Sequence, residues 1–446
     1  MLRSAASATS AATRAASFCR PVTAAAPRGL SALVSMREEY PGVPATMPAD
    51  MSPAVSKTST LSNGAKVVTL ENSHTSSAVG IVVGSGSRDE SNAQQGASVL
   101  LESMAFKATH DRSSIRLQRD VELSGGTLTA IGGRDSMTYM ADCPPEAAEV
   151  VLDSIAATVV KPKMVAEWEL EDAREKVNTV TLRLHAESTE AQVMESLYGA
   201  AYGEANTLGK PMYSPCSLSA PGLSEFHATR YKASAMTVLG VNVPHDELKA
   251  MAESALADAD SSAAPARPAA QYLGGEARIR AEMAMTSVAL AYAAPSSSDA
   301  DAPAYEVLAT LLDIRAKAIA PSATGFANMH SDGGLVGVAG TAMSAEAGEL
   351  TRCLVSCLKD LASGPSAAEL EAAIVTAKIA RGLTMESPTS ALQAMAFGTV
   401  DASGLDGVTA ASVKAAAAVA CKTGLTVASV GNVGEVPLKM DVISML

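Results

Sequence analysis

The sequence predicts an α+β protein made of two similar domains in tandem, and three observations carry that prediction. A strand, a polar loop, a helix and a Gly-Gly turn recur in the same order about 200 residues apart, which indicates a duplicated domain rather than a short solenoid repeat. Between the two copies, residues 257–271 read ADADSSAAPARPAAQ, the composition of a linker. The length of 446 residues, with 48% hydrophobic and 18% charged residues, suits more than one sizeable core and is too apolar for a disordered chain. The expected organisation is a leader over residues 1–37 (its end falling between 30 and 50), a first domain over 57–256, the linker, and a second domain over 272–446.

Taken in order, residues 57–70 read as strand, turn, strand, because Leu61-Ser62-Asn63-Gly64 is a strong hairpin signal. Residues 78–83 form a largely apolar strand, ended by Gly84-Ser85-Gly86-Ser87. A helix is expected from about Gln95, since Ala97, Leu100, Leu101, Met104, Ala105 and Ala108 fall on one stripe. A helix over 115–123, a turn at Gly125-Gly126, and a strand over 137–143 follow. Pro144-Pro145 opens a helix that ends near Pro162, ahead of a charged helix over 165–184 and another over 191–202. After the linker the pattern restarts. A strand over 286–293 matches 78–83, a Ser/Asp loop over 295–301 matches 85–92, and a helix follows over 304–314. Ser331-Asp332-Gly333-Gly334-Leu335 then leads into a strand as Ser124-Gly125-Gly126-Thr127-Leu128 does, with helices over 345–361, 367–385 and 390–398.

Charge and composition exclude several function classes. Aromatic residues are 3% of the chain and the net charge is −13, so stacking platforms and basic nucleic-acid surfaces are not expected. No run approaches the roughly 18 apolar residues of a membrane-spanning helix, and the alanine-rich stretch at 415–419 is soon interrupted by Lys422. Residues 1–37 hold Arg3, Arg14, Arg20, Arg28 and Arg37 and no acid, the pattern of a mitochondrial transit peptide, with a disordered basic arm as the alternative. Without that segment the remaining chain carries −18.

Other candidate residues read as structural. Of six cysteines, Cys353 and Cys357 share a helix face with no second ligand pair, so free thiols in a reducing compartment are expected. The six histidines (74, 110, 185, 227, 245 and 330) show no ligand spacing and are expected in loops or at the surface. Gly80, Gly84 and Gly86 do not make a phosphate-binding fingerprint. Trp168 is expected to be a packing anchor, and the twenty methionines to fill core gaps.

The helix at 96–109 reads GASVLLESMAFKAT. It resembles the segment of the pitrilysin and mitochondrial processing peptidase family that carries the inverted zinc motif His-x-x-Glu-His, followed by Met-x-Phe-Lys-Gly-Thr. In that motif two imidazoles four apart bind zinc and the intervening Glu polarises the attacking water. The resemblance places Val99 at the first His, Glu102 at the Glu and Ser103 at the second His, with Phe106 continuing their stripe. Valine has no lone pair to donate, and a serine hydroxyl is a poor zinc ligand. The family's third ligand, a Glu about 75 residues further on, would fall near Asn178, but residues 176–186 contain no acid. No catalytic residue, metal or cofactor is therefore expected; Glu102 alone remains of the motif, and without a metal to activate water it is expected to be a carboxylate solvated or paired at a domain cleft, with a leftover general base as the alternative.

The resemblance runs collinearly through 61–64, 84–90, 122–126, 200–202, 272–276 and 331–335 to Gly431-Asn432-Val433. It implies two homologous pitrilysin-type α/β lobes, each a mostly antiparallel sheet packed with helices. Within the family, the similarity to the core subunits of respiratory complex III implies a non-catalytic subunit on the matrix side of the mitochondrial inner membrane. The implied partners are core protein 1 or a processing peptidase β-like subunit, and the cytochrome b, cytochrome c1 and Rieske subunits. The alternative is the presequence-binding α subunit of the processing peptidase, which carries a glycine-rich loop in its second half; here residues 276–324 contain no glycine.

Overall fold

Two sheets are laid down in the same spatial order by the two halves of the chain. The computed structural model describes residues 55–71, 76–164, 167–204, 207–359, 364–396 and 403–446; the expected leader lies outside them. The first half supplies strands β1 (Val55–Thr60), β2 (Lys66–Glu71), β3 (Ser77–Val83), β4 (Thr127–Gly132), β5 (Met137–Cys143) and β6 (Met236–Val241). Its helices are α1 (Ala97–Ser103), α2 (Ser114–Leu123), α3 (Ala148–Val160), α4 (Glu167–Glu187), α5 (Thr189–Tyr202), α6 (Ala220–Arg230) and α7 (His245–Ala255). The second half supplies β7 (Glu276–Arg280), β8 (Met285–Ala294), β9 (Ala323–Met329), β10 (Gly334–Met343) and β11 (Thr426–Gly431). Its helices are α8 (Ala302–Ile319), α9 (Ala347–Lys359), α10 (Ala367–Thr384), α11 (Pro388–Ala396), α12 (Ala410–Lys422) and α13 (Lys439–Met445).

The strand orders are β1-β2-β6-β3-β5-β4 and β7-β11-β8-β10-β9. Leaving out β1, the two halves place their five strands identically, and in each the first strand pairs with the last in parallel while the other pairs run antiparallel. The expected duplication of a mostly antiparallel α/β lobe is what the chain forms. The hairpin between β1 and β2 closes as its sequence dictates. Gly64 takes φ +90°, a backbone state that glycine tolerates, and the Asn63 side chain accepts from the Ala65 amide at 3.1 Å.

The central strands are apolar on both faces because both faces are covered. In β3, Val79, Ile81 and Val83 enter the core beneath α3, while Ala78 and Val82 face α11. In β8, Val288, Leu290 and Tyr292 enter the second lobe's core, while Ala289 and Ala291 face α5. This is the period-2 alternation of a strand, with apolar residues on both sides. The covering helices are exchanged between the halves. α5, from the first half, packs on β7, β8, β10 and β11; α11, from the second, packs on β3, β5 and β6. The described residues accordingly form one compact unit.

Several sequence expectations need correction. The helix expected from Gln95 starts at Ala97 and stops at Ser103, and Phe106 takes φ +60°, so it leaves the helical stripe and packs edge-on against Tyr139 with ring centroids 6.1 Å apart. The two Gly-Gly turns are not equivalent: Gly125-Gly126 leads into β4, whose counterpart in the second sheet is β9, whereas Gly333-Gly334 leads into β10, whose counterpart β5 is entered from the β4–β5 turn. Trp168 is 67% exposed instead of anchoring α4, because Leu170, Ala173 and Val177 form that helix's inward stripe. His227 and His245 lie on α6 and α7 and are held by the fold instead of standing free at the surface, while His330 sits in the β9–β10 turn, a loop as expected, and is bonded there. His227 bonds the Val159 carbonyl at 2.8 Å, His245 bridges Thr69 and Ser59, and His330 bonds Tyr198 at 2.9 Å.

Candidate functional site

The candidate centre is the short helix α1 where it lies against β4 and α4. Its entry is set by Glu90, whose carboxylate accepts from the Gly96 and Ser98 amides, each at 2.7 Å, and so caps the helix with negative charge at its positive end. Burial raises the Glu90 pKa against these hydrogen bonds. Gly96 takes φ +85°, and a Cβ there would lie 2.9 Å from Cys216 Cβ, so glycine is required for the loop to turn into the helix.

The helix directs the candidate positions into different surroundings. Val99 is buried in the first core with Leu100 and Leu101. The Ser103 hydroxyl is buried with no hydrogen-bond partner. Glu102 reaches to β4, where its Oε2 occupies space against the bare backbone of Gly132; a Cβ on that glycine would sit 2.7 Å away. Burial raises the Glu102 pKa, opposed by a hydrogen bond from the Gly132 amide and by the charge of Lys176 on α4. Asn178, near which the resemblance would place the family's third ligand, is engaged elsewhere. Its Oδ1 accepts from the Cys216 amide at 2.8 Å and its Nδ2 donates to the Cys216 carbonyl at 3.3 Å.

Sequence reasoning placed Glu102 correctly on α1 but missed its actual neighbours, Gly132, Lys176 and Tyr213, whose phenol also feels the Glu102 charge. Only the Gly132-Gly133 doublet gave a local signal, since close approach to a backbone favours glycine. The donor set does not fit zinc. A hydrocarbon, an unpartnered hydroxyl and an amide already doubly bonded offer no imidazole or thiolate, and the one carboxylate is held by a backbone amide and offset by a lysine. Among the described residues, no three His, Cys, Asp or Glu side chains come close enough to share a metal ion.

Comparison with known proteins agrees with the duplicated architecture. Residues 66–216 match the family model described as insulinase (peptidase family M16), and residues 217–375 match the model described as peptidase M16 inactive domain. The chain is 34% identical over 275 residues to a probable mitochondrial-processing peptidase subunit alpha-2 of Arabidopsis thaliana, covering 59% of this chain and 54% of that protein. It is 32% identical over 251 residues to the mitochondrial-processing peptidase subunit alpha of Solanum tuberosum, covering 56% of this chain and 49% of that protein. The matched part thus spans about half the length of these two relatives. The chain is also 25% identical over 412 residues to the mitochondrial cytochrome b-c1 complex subunit 2 of Mus musculus, covering 84% of this chain and 90% of that protein.

Proposed function

The chain belongs to the M16, insulinase-type peptidase family, and from that premise we propose that it is a non-catalytic core subunit of the core protein 2 type in respiratory complex III, the ubiquinol–cytochrome c reductase. The observation that carries the proposal is the state of α1: Val99, Ser103 and the Asn178 region supply no zinc ligands, and Glu102, without a metal to activate water, is a packed and compensated carboxylate. The similarity to the mouse cytochrome b-c1 complex subunit 2 along nearly the whole of that protein supports the same reading. On this reading the subunit is peripheral, on the matrix side of the inner membrane, and holds no cofactor. Its partners are core protein 1 or a processing peptidase β-like subunit, with cytochrome b, cytochrome c1 and the Rieske protein. No helix among the described residues is long and apolar enough to cross a membrane, so contact with the bilayer would run through those partners.

A second reading is favoured by the two plant relatives named as processing peptidase α subunits: a presequence-binding, non-catalytic α subunit. Against it, residues 276–324 contain no glycine, and α8 passes into β9 through only residues 320–322, leaving no room there for a glycine-rich loop. Blue-native electrophoresis of mitochondrial membranes separates the two. Migration with cytochrome b and the Rieske protein is expected; a soluble heterodimer with a zinc-bearing β subunit, and no complex III band, would establish the α-subunit reading instead.

A further inference from the structure

Arg88 is 2% exposed and lies between two turns that occupy equivalent places in the two lobes. The β4–β5 turn presents Asp135 and the β9–β10 turn presents Asp332. The guanidinium forks onto Asp332, with Nη1 donating to Oδ1 at 2.8 Å and Nη2 to Oδ2 at 2.7 Å. Nη1 also donates to Asp135 and, at 3.2 Å, to the Ser331 hydroxyl. The remaining oxygen of Asp135 accepts from the Ser331 amide at 2.7 Å, so the two turns also bond each other directly. Such a bidentate pair fixes orientation as well as distance.

The segment joining the lobes is fastened to the same cluster. No residue from 257 to 271 is in a helix or strand, yet Arg267 donates to both oxygens of Asp89, at 2.9 and 2.6 Å, and to the carbonyls of Gly84 and Asp135. The Ala270 amide donates to Asp332 at 2.9 Å. The exchanged helix α5 joins from the other side: Tyr198 bonds His330 at 2.9 Å and Tyr202 donates to the Gly334 carbonyl at 2.8 Å. Gly86 allows the loop carrying Arg88 to lie flat on the β4–β5 turn, since a Cβ there would fall 2.3 Å from the Arg134 carbonyl oxygen. Arg88 and Asp332 are 244 residues apart in sequence, and their bond closes the junction between the lobes.

We propose that the Arg88–Asp332 fork is a latch between the lobes: while it is closed the two sheets move as one body, and when it opens the β4–β5 and β9–β10 turns part and loosen the grip of α5 and α11 on the sheets they cover. The strain of opening falls on the exchanged helices, because each is carried by one half and seated on the other. The device is independent of which assembly the protein joins.

Hydrogen exchange by mass spectrometry on the full chain tests it, using Asp332→Asn, which keeps the shape and leaves Arg88 paired with Asp135 inside the first lobe. Exchange at least tenfold faster is expected together in the loop at 84–90, the turn at 330–333, α5 and α11, with smaller increases in the strands those helices cover. Arg88→Lys, which cannot make the fork, is expected to accelerate the same segments less. Acceleration confined to residues 330–333 in both variants, or equal acceleration throughout both sheets, would overturn the latch.

Discussion

Replacing Leu392 by alanine should destabilise the first sheet, although the residue belongs to the second half of the chain. Leu392 is fully buried on α11, in a cluster with Leu70, Ala78, Val82, Met140, Leu239 and Val241. The substitution removes three carbon atoms from this cluster, worth ~2.4 kcal/mol of transfer free energy at about 0.8 kcal/mol each. A residual cavity of roughly 60 Å³ adds about 1.4 kcal/mol at ~24 cal/mol per Å³. Collapse is limited because the leucine rests on backbone: a Cβ on Gly80 would lie 3.1 Å from its Cδ2, so the cavity wall is strand and cannot fold inward as a side chain could. The total is about 4 kcal/mol, or roughly a 10³-fold loss of protection at ~1.4 kcal/mol per tenfold. Amide exchange resolved along β3, β5 and β6 is the assay. A loss below tenfold in those strands, or one confined to β8, β10 and β11, would refute the account of α11 as a core element of the opposite lobe.

Burial lowers the His330 pKa to about 4, with Asp135 working in the opposite direction, so the folded state binds this proton less readily than the unfolded state does. Stability from this group is therefore complete above the ordinary value near 6.5 and is lost as pH falls from there to about 4; His330→Gln should flatten the melting temperature across that window, and an unchanged pH profile would contradict it. Glu102 has the opposite sign, because a raised carboxylate pKa makes the ionised form a cost that grows as pH rises through the folded value; Glu102→Gln should raise the melting temperature at neutral pH, and a lowered one would mean the charge is used. Dialysed protein should hold no stoichiometric zinc by elemental analysis, and Val99→His with Ser103→His should still fail to hydrolyse peptides, since the third carboxylate is also missing; one zinc per chain in the unaltered protein would sink the non-catalytic reading. Edman sequencing of the protein from mitochondria should begin between Leu30 and Met51, and an intact Met1 would remove the argument for import.

Much of the architecture was legible in the residues because it is locally encoded. The strand expected at 137–143 is β5 as found, the strand at 78–83 is β3 less one residue, and the Asn63-Gly64 turn closes its hairpin, each from an apolar run or a turn residue a few positions long. That Val99 has no lone pair to donate was equally plain, since it is decided by the identity of the residue alone. Other features needed the fold. β6 and β11 were not anticipated, because each is a six-residue strand whose place is set by neighbours far along the chain. Phe106 turns into the left-handed region where Tyr139 offers its ring a place, and Trp168 faces outward because three other residues of α4 already fill the inward stripe. The exchange of α5 and α11, and the meeting of Arg88 with Asp135 and Asp332, depend on which surfaces remain uncovered once both sheets exist. A hydrophobic period tells a helix that it must bury one face, but the partner for that face is chosen by shape and charge across hundreds of residues, and only the assembled structure makes that choice.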